Sequence, residues 1–144
     1  MGAAVRYLAN QDPDAAFVYI GNPDVAAHNN GARSQQYYTA IETADVQVGR
    51  LISAIRNRPT YEREDWLVLV VTDHGHLDRG GHGGITVEEA TVFYLASGPS
   101  ATRSTLQAGT NIVDIAVTAM AHLGVTIDPA WHLDGKVSGL AGAR

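Results

Sequence analysis

The run Trp66-Leu67-Val68-Leu69-Val70-Val71 leads directly into Thr72-Asp73-His74-Gly75-His76-Leu77-Asp78-Arg79-Gly80-Gly81-His82-Gly83-Gly84. Six apolar residues without alternation are the pattern of a central parallel strand covered on both faces. The polar residues that follow then stand at its C-terminal mouth, where open parallel α/β sheets bind their ligands. They carry an Asp-His pair at Asp73 and His74, with a further imidazole, His82, nine positions after Asp73. Carboxylate plus imidazole is the ligand set of hydrolytic zinc, and the surrounding glycines let the backbone bend around a small ion.

Upstream, Ala16-Phe17-Val18-Tyr19-Ile20 is β-rich and closes at Gly21-Asn22-Pro23, a strand ended by loop chemistry. The loop expected from Asp24 to Ala32 holds a second pair, Asp24 and His28. From Ser34 to Asn57 the pattern turns helical: Ile41, Ala44, Val48, Leu51, Ile52 and Ile55 recur at helix spacing, and Pro59 follows as a stop. Strand, helix, strand is a right-handed βαβ unit. Downstream, Thr91 to Ala96 reads as a third strand, preceded by a capping box from Thr86 and Glu89. Ile112 to Leu123 reads as an amphipathic helix capped by Asn111 or Thr110 and stopped by Gly124. A short helix is expected at 3–9 and a loop-like tail from Val125 to Arg144.

The fold expected from these elements is one domain over residues 1–144, a three-layer α/β/α sandwich with a mostly parallel sheet. Strands 16–20 and 66–71 should be parallel and adjacent or nearly so. The long helix should cover one face, burying Ile41, Val48, Leu51 and Ile55.

Composition narrows the function. The 144 residues carry a net charge of −5, which suggests no basic face for nucleic acid or an anionic membrane. An anionic substrate would need local cations, and bound metal would supply them. With no cysteine, thiolate catalysis, zinc fingers and disulfides are excluded together. No apolar run is long enough to span a bilayer, and Met1 to Asn10 lacks a signal-peptide pattern. A soluble protein is expected, its compartment unspecified.

Each candidate also has a bland reading. Asp24 after Pro23 could cap a turn; His28 beside Asn29-Asn30 could be a surface loop residue; Asp73-His74-Gly75 could be a tight turn. His82 resists such a reading, because a bulky titratable ring stands among four glycines. Together the five residues fit two ions of a hydrolytic two-metal site. Asp24, His28 and His82 would hold one, and Asp73 and His74 the other. His76 is expected to stand behind the ligands or face solvent rather than line the site, His122 to be structural at a helix C-terminus, and His132 to pack beside Trp131. No phosphate loop, dinucleotide fingerprint or zinc-protease helix is present.

These residues resemble the alkaline phosphatase superfamily, most closely its type I phosphodiesterase/nucleotide pyrophosphatase and sulfatase-like branches. The family's Asp-x-x-Gly-His loop is matched by Asp24-Val25-Ala26-Ala27-His28, with Ala27 in place of glycine. Its Ser/Thr-Asp-His-Gly strand end is matched by Thr72-Asp73-His74-Gly75. The spacing from Asp73 to His82-Gly83 is similar to that of the superfamily's phosphoethanolamine transferases. Asn111 to Leu123 with Asp134-Gly135 is similar to the closing helix and tail of sulfatase-like members. The resemblance implies phosphoryl- or sulfuryl-transfer chemistry at two metal sites, usually zinc, with one ion more firmly held here. It covers the C-terminal half of such an enzyme. The family's Thr or Ser nucleophile and a further metal-binding Asp map onto no residue of this chain, so no catalytic residue is assigned.

The function expected is therefore metal-dependent hydrolysis or transfer of small phosphate esters, of the phosphodiester/nucleotide pyrophosphatase type, at a site to which this chain contributes part. The alternative is a non-catalytic metal-binding or interaction remnant of such an enzyme. Either way, an exposed strand edge would make a homo-oligomer the expected state, unless an N-terminal half completes the fold.

Overall fold

A computed structural model describes residues 1–103 and 109–142. Their contacts group the chain into two compact units, one of Met1–Glu64 with Gly75–Ala90, the other of Asp65–His74 with Thr91–Arg144.

The first unit is helical. Helix α1 spans Gly2–Asn10, α2 Asn22–Asn30, α3 Gln35–Arg56, and α4 is a single turn at Val87–Ala90. The long helix α3 starts where Ser34 accepts a hydrogen bond from the Tyr37 N–H, an N-cap that satisfies one orphan donor of the first turn. Both α1 and α2 pack against it. The core here is small: Leu8 of α1, Ala27 of α2, and Ala54 and Ile55 of α3 are buried. Val48 and Leu51 are half-buried, whereas Ile41 is exposed, so the expected apolar stripe is covered only towards its C-terminal end.

Buried Arg58 closes that end. Its guanidinium donates to both Glu64 carboxylate oxygens, to the Leu8 carbonyl at 2.7 Å and to the Gln11 carbonyl, and it pairs with Asp12. The planar fork of arginine suits this several-fold contact, and it ties the end of α1 to the end of α3.

The second unit holds strands β1, Val68–Val71, and β2, Tyr94–Ser97, with helix α5 at Asp114–His122. The strands pair antiparallel, Val68 opposite Ser97 and Val71 opposite Tyr94. A single helical turn follows at Pro129–Trp131, and a bridge joins Ala101 to Leu140. The tail docks on α5 through buried polar groups. The Asp114 carboxylate accepts from the N–H groups of Lys136 and Asn111. Thr118 exchanges hydrogen bonds with the backbone of Ser138, whose carbonyl also accepts from the Tyr94 hydroxyl.

Several expectations are corrected. Among the described residues the sheet has two antiparallel strands, not a mostly parallel set. A continuous apolar run reports burial, not strand direction, which depends on the partner that returns. Residues 16–20 form no strand, and Phe17 and Tyr19 are exposed. An extended segment gains ladder hydrogen bonds only from a neighbour. The stretch after Pro23 is the helix α2, not a loop, with Pro at its start and Gly31 (φ 89°) at its end, the termini that favour a helix. The residue before α5 is Val113, not Asn111 or Thr110, and Asp114 reaches back to the Asn111 N–H. His132 and Trp131 are exposed and do not pack as a pair in a core. Among the described residues no helix is long and apolar enough to cross a membrane.

Candidate metal centre

Because α2 is a helix, Asp24 and His28 stand four residues apart on one face. The His28 Nε2 lies 3.3 Å from Asp24 Oδ1. The segment after residue 75 brings two more imidazoles to the same oxygen: His76 Nε2 and His82 Nε2 each lie 3.3 Å from it. Asp24, His28 and His82 together present donor atoms that all lie within 4.8 Å of one another. The rings gather closely, with centroids 4.8 Å apart for His28 and His82, and 5.2 Å for His76 and His82.

Backbone chemistry sets this segment on α2. Gly80 has a φ of 91°, and a Cβ there would stand 1.8 Å from the Ala27 carbonyl oxygen. Only glycine combines that conformation with so close an approach. Ala27, fully buried, is the position where the resembling family has its own glycine. The Asp78 carbonyl accepts from the Ala32 N–H at 3.1 Å, and Leu77 N–H donates to the Gly81 carbonyl at 2.9 Å. The His76 Nδ1 lies 3.1 Å from the Gly80 carbonyl.

Glu89, on α4, pins the next stretch. Its buried carboxylate accepts from the Gly84 N–H at 2.8 Å and from the Thr86 hydroxyl at 2.7 Å, while its own N–H reaches back to Thr86 Oγ1. This is the reciprocal capping box read from the sequence. The Thr86 hydroxyl and the Gly84 N–H, helped by the Thr86 N–H and nearby His82, hold the Glu89 carboxyl below its usual range. A carboxylate ionised there fixes Gly84, two residues from His82.

The Asp24 carboxylate is the anomaly of the centre. Its Oδ1 is buried and has no hydrogen-bond partner, although three imidazole nitrogens stand 3.3 Å away. Buried carboxylate oxygens are normally satisfied, and one left bare is costly. Nitrogens close by but not in hydrogen-bond alignment are what an ion among these donors would require. The donor set fits a divalent metal.

Asp73 and His74 are carried by the second unit, on the residues following β1. His74 Nε2 lies 3.6 Å from Asp73 Oδ2, and the His74 N–H donates to Asp73 Oδ1 at 3.1 Å. The Thr72 hydroxyl donates to the His74 carbonyl at 2.8 Å. His122 is structural as expected: its Nε2 lies 2.8 Å from the Asp65 carbonyl, an oxygen that only accepts. The residue undervalued in the sequence is His76, whose side chain is only 5% exposed. Its spacing of two from His74 gave no sign of where it would point.

The family model described as type I phosphodiesterase/nucleotide pyrophosphatase matches residues 2–121. The chain belongs to that family. Among curated proteins it is similar to the 2,3-bisphosphoglycerate-independent phosphoglycerate mutases of two organisms. That of Haloarcula marismortui is 27% identical over 127 residues, 85% of this chain and 23% of the mutase. That of Natronomonas pharaonis is 29% identical over 130 residues, 87% of this chain and 24% of the mutase. The chain thus spans about a quarter of the length of these relatives. No solved structure matches it significantly. The matched family region contains Asp24, His28, Asp73, His74, His76 and His82, and the superfamily resemblance read from the motifs is borne out.

Proposed function

We propose that this chain carries the metal-holding part of a phosphoester hydrolase or transferase of the phosphodiesterase/nucleotide pyrophosphatase type, acting on a small phosphate ester. The observation that supports it is the buried Asp24 oxygen without a hydrogen bond, surrounded by imidazole nitrogens. Asp24, His28 and His82 would hold one divalent ion, with zinc first in order of fit to two imidazoles and a carboxylate. Asp73 and His74 are read as ligands of a second ion. Two protein donors leave a dication mostly hydrated, so this second site is weak in the chain by itself.

A bound dication supplies local positive charge, polarises a phosphoryl oxygen and acidifies water. The chain's own residues decide access and orientation. The His28 side chain is 46% exposed, against 35% for Asp24 and 29% for His82, so the centre is most open to solvent at His28. With a net charge of −5, the protein's overall field repels an anionic ester, and attraction has to be local. The sandwich fold of the superfamily accompanies this reading as the complete architecture.

A second reading, phosphoryl transfer on a phosphorylated hydroxy acid, is favoured by the relatives, both phosphoglycerate mutases. Assays of an aryl phosphodiester, an aryl phosphomonoester, a sulfate ester and 2- and 3-phosphoglycerate, with added zinc, separate the readings. Turnover by this chain alone is expected to be slow, because no nucleophile is assigned to it. Positioning of an in-line nucleophile contributes several kcal/mol, hence orders of magnitude in rate. Any rate should be abolished by Asp73→Asn. Zinc binding without turnover of any ester, in the chain and in longer forms of the protein, would leave the non-catalytic reading. Absence of bound metal would remove both.

A further inference from the structure

We infer that Tyr19 is a specificity-determining residue beside the Asp24 centre, its ring a platform on which an aromatic group in the alcohol part of the ester stacks. The inference deepens the phosphoester reading given above and rests on it.

Gly21 is the N-cap of α2, with φ −90° and ψ −5°, a backbone open to any L residue. Conformation therefore does not require glycine there. What the position lacks is room for a side chain. A Cβ on Gly21 would stand 2.9 Å from Tyr19 Cε1 and 3.2 Å from Tyr19 Cζ, well inside ordinary carbon–carbon contact. The Tyr19 ring occupies the space that a side chain at residue 21 would take, seated on the backbone where α2 begins.

That space belongs to the face of α2 that carries the centre. Gly21 is already helical in its dihedrals, so Gly21, Asp24 and His28 stand at i, i+3 and i+7, one stripe of the helix. Asp24 and His28 are two of the three residues, with His82, whose donor atoms all lie within 4.8 Å of one another. Gly21 precedes Asp24 by three residues, a rise of about 4.5 Å along the axis. A ring joined to a phosphoryl group through a single oxygen spans a gap of that order. Three protein donors leave one position of a tetrahedral ion open, and Tyr19 stands where the far end of a molecule entering there would lie.

The ring is also available. Tyr19 is 71% exposed although it is seated on the backbone, so its outer side offers a flat apolar surface to solvent. A second ring stacked on it takes both out of water and adds the attraction between offset aromatic faces. Exposure alone is ordinary for a tyrosine. Phe17 is more exposed, at 92%, but lies two residues further from α2. The seat at Gly21, on the stripe of Asp24 and His28, is what sets Tyr19 apart.

The test titrates the zinc-loaded chain calorimetrically with phenylphosphonate and with cyclohexylphosphonate. Both carry the same anionic group on a six-membered ring, and neither has an ester bond to hydrolyse. Stacking adds to the burial of area a factor of roughly 2–10 in affinity, so phenylphosphonate should bind the wild type more tightly by that ratio. The ratio should fall to near one in Tyr19→Ala and be retained in Tyr19→Phe, which keeps the ring. Gly21→Ala keeps the ring but fills its seat, and should lower the ratio as well. Equal binding of the two phosphonates by the wild type, a comparison that needs no variant, overturns the inference and leaves the phosphoester reading standing. So does a ratio that survives Tyr19→Ala while light scattering shows a change in mass, which would make the ring an interface between copies. Failure of the zinc-loaded chain to bind either phosphonate sinks the phosphoester reading itself, and the inference with it.

Discussion

A single oxygen atom, Asp24 Oδ1, is where the imidazoles of the candidate centre converge. It is buried and without a hydrogen bond, and its charge is costly in the metal-free state. Asp24→Asn should therefore stabilise the metal-free chain or leave it unchanged, while abolishing its stabilisation by zinc. For the wild type, zinc at about 100 times its dissociation constant should add roughly 2.7 kcal/mol; thermal unfolding with and without zinc checks both halves. His82→Ala should lower zinc affinity far more than His122→Ala, whose ring contacts the Asp65 carbonyl in the second unit. Equal losses in a chelator competition would contradict the assignment. Of the three candidates, His82 stood out in the sequence because a bulky ring lies among four glycines, whereas Asp24 and His28 each had an ordinary loop reading and gained weight only as a set. The place of His76 was not legible, because it depends on the Gly80 carbonyl 3.1 Å from its Nδ1, a contact that no spacing rule encodes.

At the scale of elements, helix α2 and the segment 75–90 do the positioning. Gly80→Ala must relieve both a φ of 91° and an approach of 1.8 Å to the Ala27 carbonyl. It should cost about 1–3 kcal/mol and weaken zinc binding together with stability, read by chemical denaturation and by titration. Glu89→Gln retains the shape but replaces an acceptor oxygen with an NH2 group at the Gly84 and Thr86 contacts. The stretch carrying His82 then loses its anchor, and zinc affinity should fall by about 10–100-fold, the range of a supporting contact. The capping box of Thr86 and Glu89, the N-cap at Ser34 and the extent of α3 were legible because these signals are local. Helix α2 was misread as a loop: its polar face hides any apolar stripe, although Pro23 and Gly31 marked its ends.

For the molecule as a whole, two behaviours follow. In the second unit, burial pushes the Asp114 carboxyl up, but the N–H groups of Lys136 and Asn111 and the Ser138 hydroxyl outweigh it and hold it below its ordinary value. A depressed carboxyl contributes stability that is fully present above the unfolded value, near 3.9. That stability is lost as pH falls through the lower folded value. The wild type should thus lose stability below about pH 4, and Asp114→Asn, less stable at neutral pH, should show a flatter acid limb in unfolding followed by circular dichroism. The second behaviour is association. Phe17 and Tyr19 are exposed on a segment outside any helix or strand, and exposed aromatic surface of this kind is prone to self-association. Light scattering at increasing concentration should show dimers or larger species, and a monodisperse monomer would refute that expectation.

The sequence by itself determined what short-range physics encodes. The helices at α1, α3 and α5, the apolar run of β1, the capping box of α4 and the nomination of Asp24, His28 and His82 as candidates all rest on periodicity, caps and residue type within a few positions. The tertiary structure alone decided what depends on groups distant in the chain. It turned the expected β1 neighbour into the antiparallel β2, because ladder direction belongs to the partner and not to the run. It left Ala16–Ile20 without a ladder, because an extended chain is stabilised only by another. It also brought His76 and His82 to the oxygen of Asp24, more than fifty residues away, because a glycine at residue 80 lets one backbone rest on another. Which imidazoles gather at that oxygen is set by this backbone contact, and local sequence carries no record of it.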